Sequence, residues 1–248
     1  MKVLKNLAIL VWRIWFYAWF IGTIIVALPV LLIITAKESW YPAFFKIARA
    51  WGKTLLFVMG FKASTISEET IEPRSSYMFC ANHTSMIDIM LMLAVVKNPF
   101  VFVGKAELGK IPIFGYFYKR TCILVDRNNP SSRKAVFAEA ERRLKNGLSV
   151  CIFPEGLVPD DESIVLSPFK NGAFILAIEH KIPIVPMTFY DCKKRLSYTF
   201  FSGCPGTLRV KIHAFIQTEH SEISDRHRVN KQAFDTIYNE LILDANGS

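Results

Sequence analysis

Cys80-Ala81-Asn82-His83-Thr84-Ser85-Met86-Ile87-Asp88 lies between two apolar runs of different kind. Before it, Ser76-Tyr77-Met78-Phe79-Cys80 is short and aromatic and reads as a strand; after it, 86–96 is too long and too evenly apolar for a second strand and reads as a helix. His83 therefore falls on a strand-to-helix turn. Asp88 follows five positions later, a rotation of about 140° had both been on one helix, so the imidazole belongs off it. With Ser85 as N-cap, Asp88 sits in the first helical turn. There its carboxylate reaches back to one ring nitrogen and leaves the other to take a proton, the arrangement of a general base. Ser85-x-x-Asp88 equally fits a capping box, in which the carboxylate only covers backbone N–H groups. The stretch by itself leaves the two readings level.

Outward from this turn, strands and helices alternate. Strands are expected at 77–80, 100–103, 122–125, 149–153, 184–188 and 208–215, and helices at 86–97, 131–146, 172–180 and 229–244. The interleaving predicts an α/β domain over 60–248, a mixed, mostly parallel sheet covered by helices. Five cysteines lack C-x-x-C spacing and read as buried, reduced thiols, with no convincing metal site. Of the other histidines, His180 ends a helix, His213 alternates with Arg209 and Lys211 on a polar strand face, and His220 and His227 lie in polar sequence. Only His83 combines a strand-to-helix turn with a carboxylate in reach.

Further stretches converge on the carboxyl ends of the strands, the edge where an α/β sheet binds its ligands. Val103-Gly104-Lys105-Ala106-Glu107-Leu108 leads through Pro112 and Gly115 to Val125-Asp126-Arg127. Lys105 and Arg127 each follow an apolar strand, as solvated charges or as donors for a phosphomonoester. Val150-Cys151-Ile152-Phe153-Pro154-Glu155-Gly156 breaks at Pro154 and delivers Glu155 to the same edge. Ser167-Pro168-Phe169-Lys170-Asn171-Gly172 opens a helix, and Ile184-Val185-Pro186-Met187 reads as a core strand. The segment 111–118, with Phe114, Tyr116, Phe117 and Tyr118, suits either an acyl-chain groove or ordinary core packing.

In this order and spacing the blocks resemble those of the glycerolipid acyltransferases, and in particular of the 1-acyl-sn-glycerol-3-phosphate (lysophosphatidate) acyltransferases. The match runs through Asn82-His83-x-x-x-x-Asp88, Lys105-x-Glu107-Leu108 with Asp126-Arg127, Phe153-Pro154-Glu155-Gly156 and Val185-Pro186. The resemblance implies His83 and Asp88 as the catalytic pair and Lys105, Arg127, Glu155 and Gly156 as substrate-binding residues. Lys105 and Arg127 would hold the phosphate, and Glu155 would position the glycerol. The commonest family form follows Glu-Gly with Thr-Arg-Ser, whereas this chain has Leu157-Val158-Pro159, so the third-block Arg has no counterpart at Val158. Lys170, with free N–H groups at the helix it opens, is the expected source of the missing positive field. Backbone N–H groups near the His83 turn are expected to stabilise the oxyanion.

Mean hydropathy of +0.28 is high for a soluble domain. The net charge of +9 is unevenly spread. Lys2, Lys5, Arg13, Lys37, Lys46, Arg49, Lys53 and Lys62 stand against Glu38 alone in the first 62 residues, which also hold all five tryptophans. Basic charge within the most apolar segment favours anionic lipid over nucleic acid. Residues 14–36 form 23 positions without a charge, interrupted by Pro29, and 41–59 read as a basic amphipathic helix with Lys46, Arg49 and Lys53 on one face. A two-helix membrane anchor over 1–59 follows, as one spanning helix with an interfacial one or as a hairpin in one leaflet. The length, the bulky aromatics and the lack of a small-x-small site disfavour a cleaved signal peptide.

The expected activity is acyl transfer from acyl-CoA or acyl-carrier protein to lysophosphatidate, without metal or cofactor, at the cytoplasmic face of a bacterial inner membrane. A sibling activity on glycerol 3-phosphate or another lysophospholipid is the first alternative. A serine hydrolase using Ser85 lacks a Gly-x-Ser-x-Gly turn, and a non-catalytic membrane-binding protein has no use for His83, Asp88 and Glu155 together.

Overall fold

The computed structural model describes residues 2–126, 130–159, 161 and 163–247. Among these the strands are β1 (Phe61–Ser67), β2 (Met78–Ala81), β3 (Phe100–Lys105), β4 (Cys122–Val125), β5 (Ser149–Ile152), β6 (Ile184–Phe189) and β7 (Gly206–Ile212), ordered β1-β7-β6-β2-β5-β3-β4. β2 pairs parallel with β5 and β6, and β3 with β5 and β4. The chain turns back after β6, with an antiparallel bridge between Ile184 and Ile216. The expected mixed, mostly parallel sheet is what forms. The helices are α1 (Lys2–Ile34), α2 (Tyr41–Val58), α3 (Ile87–Val95), α4 (Phe114–Thr121), α5 (Pro130–Lys145), α6 (Gly172–Glu179), α7 (Cys192–Arg195) and α8 (Arg226–Gly247).

The chain divides into two compact units. One comprises Met1–Thr65, Thr84–Lys97 and Phe189–Val210; the other comprises Ile66–His83, Asn98–Thr188 and Lys211–Ser248.

In the first unit α1 and α2 form an antiparallel hairpin. Trp12 Nε1 donates to the Met59 carbonyl, Trp15 Nε1 to that of Val58, and Trp51 Nε1 to Thr23 Oγ1, so partner numbers fall along α2 as they rise along α1. α1 is long and apolar enough to cross a membrane, with a most apolar stretch of mean hydropathy 2.4 and none of that stretch buried. Pro29 does not interrupt it, contrary to the sequence expectation. The missing N–H removes a single i→i−4 bond, and the helix runs on for about one and a half turns beyond the proline. α2 packs on α3 at Gly52, where a side chain would meet the Met90 carbonyl and Leu93. Arg49 is also corrected. Its guanidinium donates to the carbonyls of Leu93 and Ala94, capping α3, while Lys46 and Lys53 remain exposed.

In the second unit β2, β5 and β6 are buried along almost their whole length, as central parallel strands must be when both faces are covered. Met78, Phe79, Cys80, Val150, Cys151, Ile184 and Val185 fill this core. Because β2 and β5 run parallel side by side, the segments leaving them emerge at one edge.

Candidate active site

β2 ends at Ala81, and two residues on, His83 has left the sheet. Its backbone N–H donates to Glu155 Oε1 at 2.7 Å, and its ring stacks on Phe153, centroids 4.3 Å apart and 19° from parallel. Phe153 stacks in turn on Phe102 of β3. The imidazole thus has an apolar floor and a fixed backbone, and it is half-buried.

Glu155 follows β5 as expected and is only 3% exposed. Its second oxygen, Oε2, accepts from the Ser167 N–H at 2.8 Å. One carboxylate therefore ties the strand-to-helix turn to the loop before α6. Burial pushes the Glu155 carboxyl above its ordinary range, against the pull of the Ser167 and His83 N–H groups.

Asp88 lies fully buried in the first turn of α3. Its Oδ2 accepts from the N–H groups of Thr84 at 2.7 Å and Ser85 at 2.9 Å. The capping function is therefore real. The cap position moves by one, however: Met86 precedes the helix, and Ser85 Oγ accepts from the Ile87 N–H while donating to the Leu196 carbonyl. The thiol of Cys192 also neighbours Asp88, and burial first, then that carboxylate, push it well up.

These bonds narrow the choice of backbone donors for an oxyanion. The N–H groups of His83, Thr84 and Ser85 already serve Glu155 and Asp88, so these three are committed to shaping the turn.

Gly156 adopts φ +79°, a conformation suited to glycine, and the Lys170 side chain lies against its α-carbon. The Lys170 N–H donates to the Pro154 carbonyl at 2.9 Å, and Asn230 Nδ2 of α8 holds the neighbouring Phe169 carbonyl at 3.0 Å. Gly156 and Lys170 are thus brought together. Lys105 is exposed at the end of β3, one strand over from β5. Arg127 lies outside the described residues. Among the described residues no cluster of three or more His, Cys, Asp or Glu side chains could hold a metal ion. Sequence reasoning missed Ser167 and the ring of Phe153; an aromatic two positions before Glu155 is the one local sign of the latter.

The acyltransferase family profile matches residues 63–190, just over half of the chain, a span that includes His83, Asp88, Lys105, Glu155, Gly156 and Lys170. The chain belongs to the acyltransferase family. Similar acyltransferases include the 1-acyl-sn-glycerol-3-phosphate acyltransferase of Cocos nucifera, 30% identical over 173 residues that make up 69% of this chain and 55% of that protein. Its namesake in Escherichia coli (strain K12) is 33% identical over 132 residues, 52% of this chain and 53% of that protein. The chain spans about half the length of these relatives. The crystal structure of the 1-acyl-sn-glycerophosphate acyltransferase PlsC from Thermotoga maritima has the same acyltransferase fold, with a TM-score of 0.73 at 22% identity over 97% of this chain and 96% of that one.

Proposed function

We propose that this chain is a membrane-associated acyltransferase that moves an acyl group from acyl-CoA or acyl-carrier protein to the sn-2 hydroxyl of 1-acyl-sn-glycerol 3-phosphate, giving phosphatidate for phospholipid synthesis. The observation that carries the reading is the fixed turn at the carboxyl end of β2, where His83 is held by its backbone on Glu155 and its ring rests on Phe153. The names of the relatives, 1-acyl-sn-glycerol-3-phosphate acyltransferases among them, support the acceptor.

In this mechanism His83 takes the proton of the acceptor hydroxyl as that oxygen attacks the thioester carbonyl, and the thiolate leaves with the donor. Asp88, five residues along the same turn, orients the imidazole. No covalent acyl-enzyme is formed. Lys105, Arg127 and Lys170 supply the positive field for the acceptor phosphate, Lys170 in place of the arginine absent at Val158. Glu155 serves the acceptor through the loop it braces, and Gly156 lets Lys170 approach. In this reading α1 and α2 anchor the chain to the membrane that holds the acceptor, on the cytoplasmic face of a bacterial inner membrane.

The test offers lysophosphatidate, glycerol 3-phosphate and lysophosphatidylcholine in parallel, with one acyl thioester, to wild type and His83→Ala. Turnover on lysophosphatidate that falls about 10²- to 10⁴-fold in the variant is expected. Turnover that survives the substitution sinks the mechanism, and turnover on another acceptor alone reassigns the substrate.

A further inference from the structure

The loop between α7 and β7, within the first unit, is built in a way that catalysis does not require. Arg13 of the apolar helix α1 is only 4% exposed, and its guanidinium donates to three carbonyls of this loop: Ser197 and Thr199 at 2.8 Å and Ser202 at 3.1 Å. Side chains of the loop add further bonds locally. Ser197 Oγ accepts from the Thr199 N–H and meets Ser202 Oγ at 2.6 Å, and Ser202 Oγ donates to Thr199 O. On the other side Arg195 donates to the Pro205 and Thr207 carbonyls, and Gly203, at φ +107°, lets the chain pass close to the Arg195 carbonyl. The chain is tied back at these points, while the aromatic side chains keep much of their surface open: Tyr198 is 58% exposed, Phe201 52% and Phe200 45%, the last with Arg13 Cζ 5.2 Å from its ring centre.

A loop that exposes its rings while three of its carbonyls are held by a buried guanidinium differs from an ordinary surface loop, which leaves its backbone to water. It suits a medium in which water is scarce, and tyrosine and phenylalanine suit the boundary of that medium. The loop is pinned directly to α1, whose own outward face carries exposed Val11, Ile14 and Trp15 around Arg13. Lys193 and Lys194, on α7 just before the loop, supply positive charge of the kind that anionic headgroups attract.

We infer that residues 197–203 form a second lipid-contact surface, which inserts Tyr198, Phe200 and Phe201 into the headgroup boundary beside α1. The occupant is a phospholipid interface, continuous with the one that receives α1. Because Ser85 Oγ donates to the Leu196 carbonyl at the base of this loop, the contact also bears on the depth of the start of α3 in the same unit.

The test uses the full chain carrying Cys204→Ser, to remove the one exposed thiol, and Phe200→Cys bearing an environment-sensitive fluorophore. A second protein labelled through Leu243→Cys, a residue 67% exposed on α8, is the control. Both are reconstituted into vesicles of phosphatidylethanolamine and phosphatidylglycerol and recovered by flotation. Iodide quenching at position 200 is expected to fall severalfold on going from detergent to vesicles while that at 243 holds, and lipid spin-labelled near the headgroup should quench position 200 alone. Equal iodide access at both positions, or failure of the protein to float, overturns the assignment. So does protection at 200 that appears in detergent as protein concentration rises, which would mark a contact between copies.

Discussion

Glu155 reaches His83 through the main chain, accepting its N–H on one oxygen and the Ser167 N–H on the other. Replacing it with Gln keeps the shape but turns one acceptor into a donor facing a donor. Glu155→Gln is therefore expected to lower stability by about 1–3 kcal/mol in thermal unfolding and to depress turnover on lysophosphatidate. The places of His83, Asp88 and Glu155 in the fold were legible in the sequence because each is set locally, by a turn, a first helical turn and a strand end. Who accepts each N–H was not legible. Ser167 answers Glu155 from 12 positions further along the chain, and the N–H groups of His83, Thr84 and Ser85 are taken up by two carboxylates. Cys204 likewise departs from the expectation that all the thiols are buried, because Arg195 holds its sulfur at the exposed base of a loop.

Among elements, the expected strands 77–80, 100–103, 122–125, 149–153 and 184–188 correspond to β2 to β6, because buried parallel strands announce themselves as apolar runs. β1 was missed, since only Phe61 among its seven residues is buried and no period shows. α4 was read only as an aromatic segment; it is a helix with Gly115 and Phe117 inward and Tyr116 exposed. The packing of α2 on α3 also left no signal beyond one glycine. Gly52→Val would drive two methyl groups into the Met90 carbonyl and Leu93, and is expected to cost about 1–3 kcal/mol, read as a fall in melting temperature.

At the scale of the molecule, ionic ties join elements far apart in sequence. Lys211 after the middle of β7 bridges Glu68 at 3.0 Å and Glu240 of α8 at 2.7 Å, and beside it His213 is buried, with Nε2 2.8 Å from Thr188 Oγ1. Sequence alternation had put His213 on a polar face; it turns inward because Thr188 supplies a partner there. Burial lowers its pKa from the ordinary 6.5, with Glu68 and Glu240 pulling upward and Lys211 downward. The unfolded chain thus binds a proton that the folded chain resists, so this contribution to stability is complete above about pH 6.5 and drains away as pH falls through the lowered value. Between about pH 7 and 5, melting temperature is expected to drop less in His213→Gln than in wild type. The interleaving of three distant stretches in the first unit has no local signature at all, and it sets a timetable. Arg13 leaves the ribosome long before Ser202, which lies 189 residues later, a gap of roughly 10–40 s at about 5–20 residues per second. For that interval a nascent helix rich in apolar side chains carries a charge whose full set of acceptors is not yet synthesised, and commitment of α1 to its resting place is expected to wait for the far end of the chain.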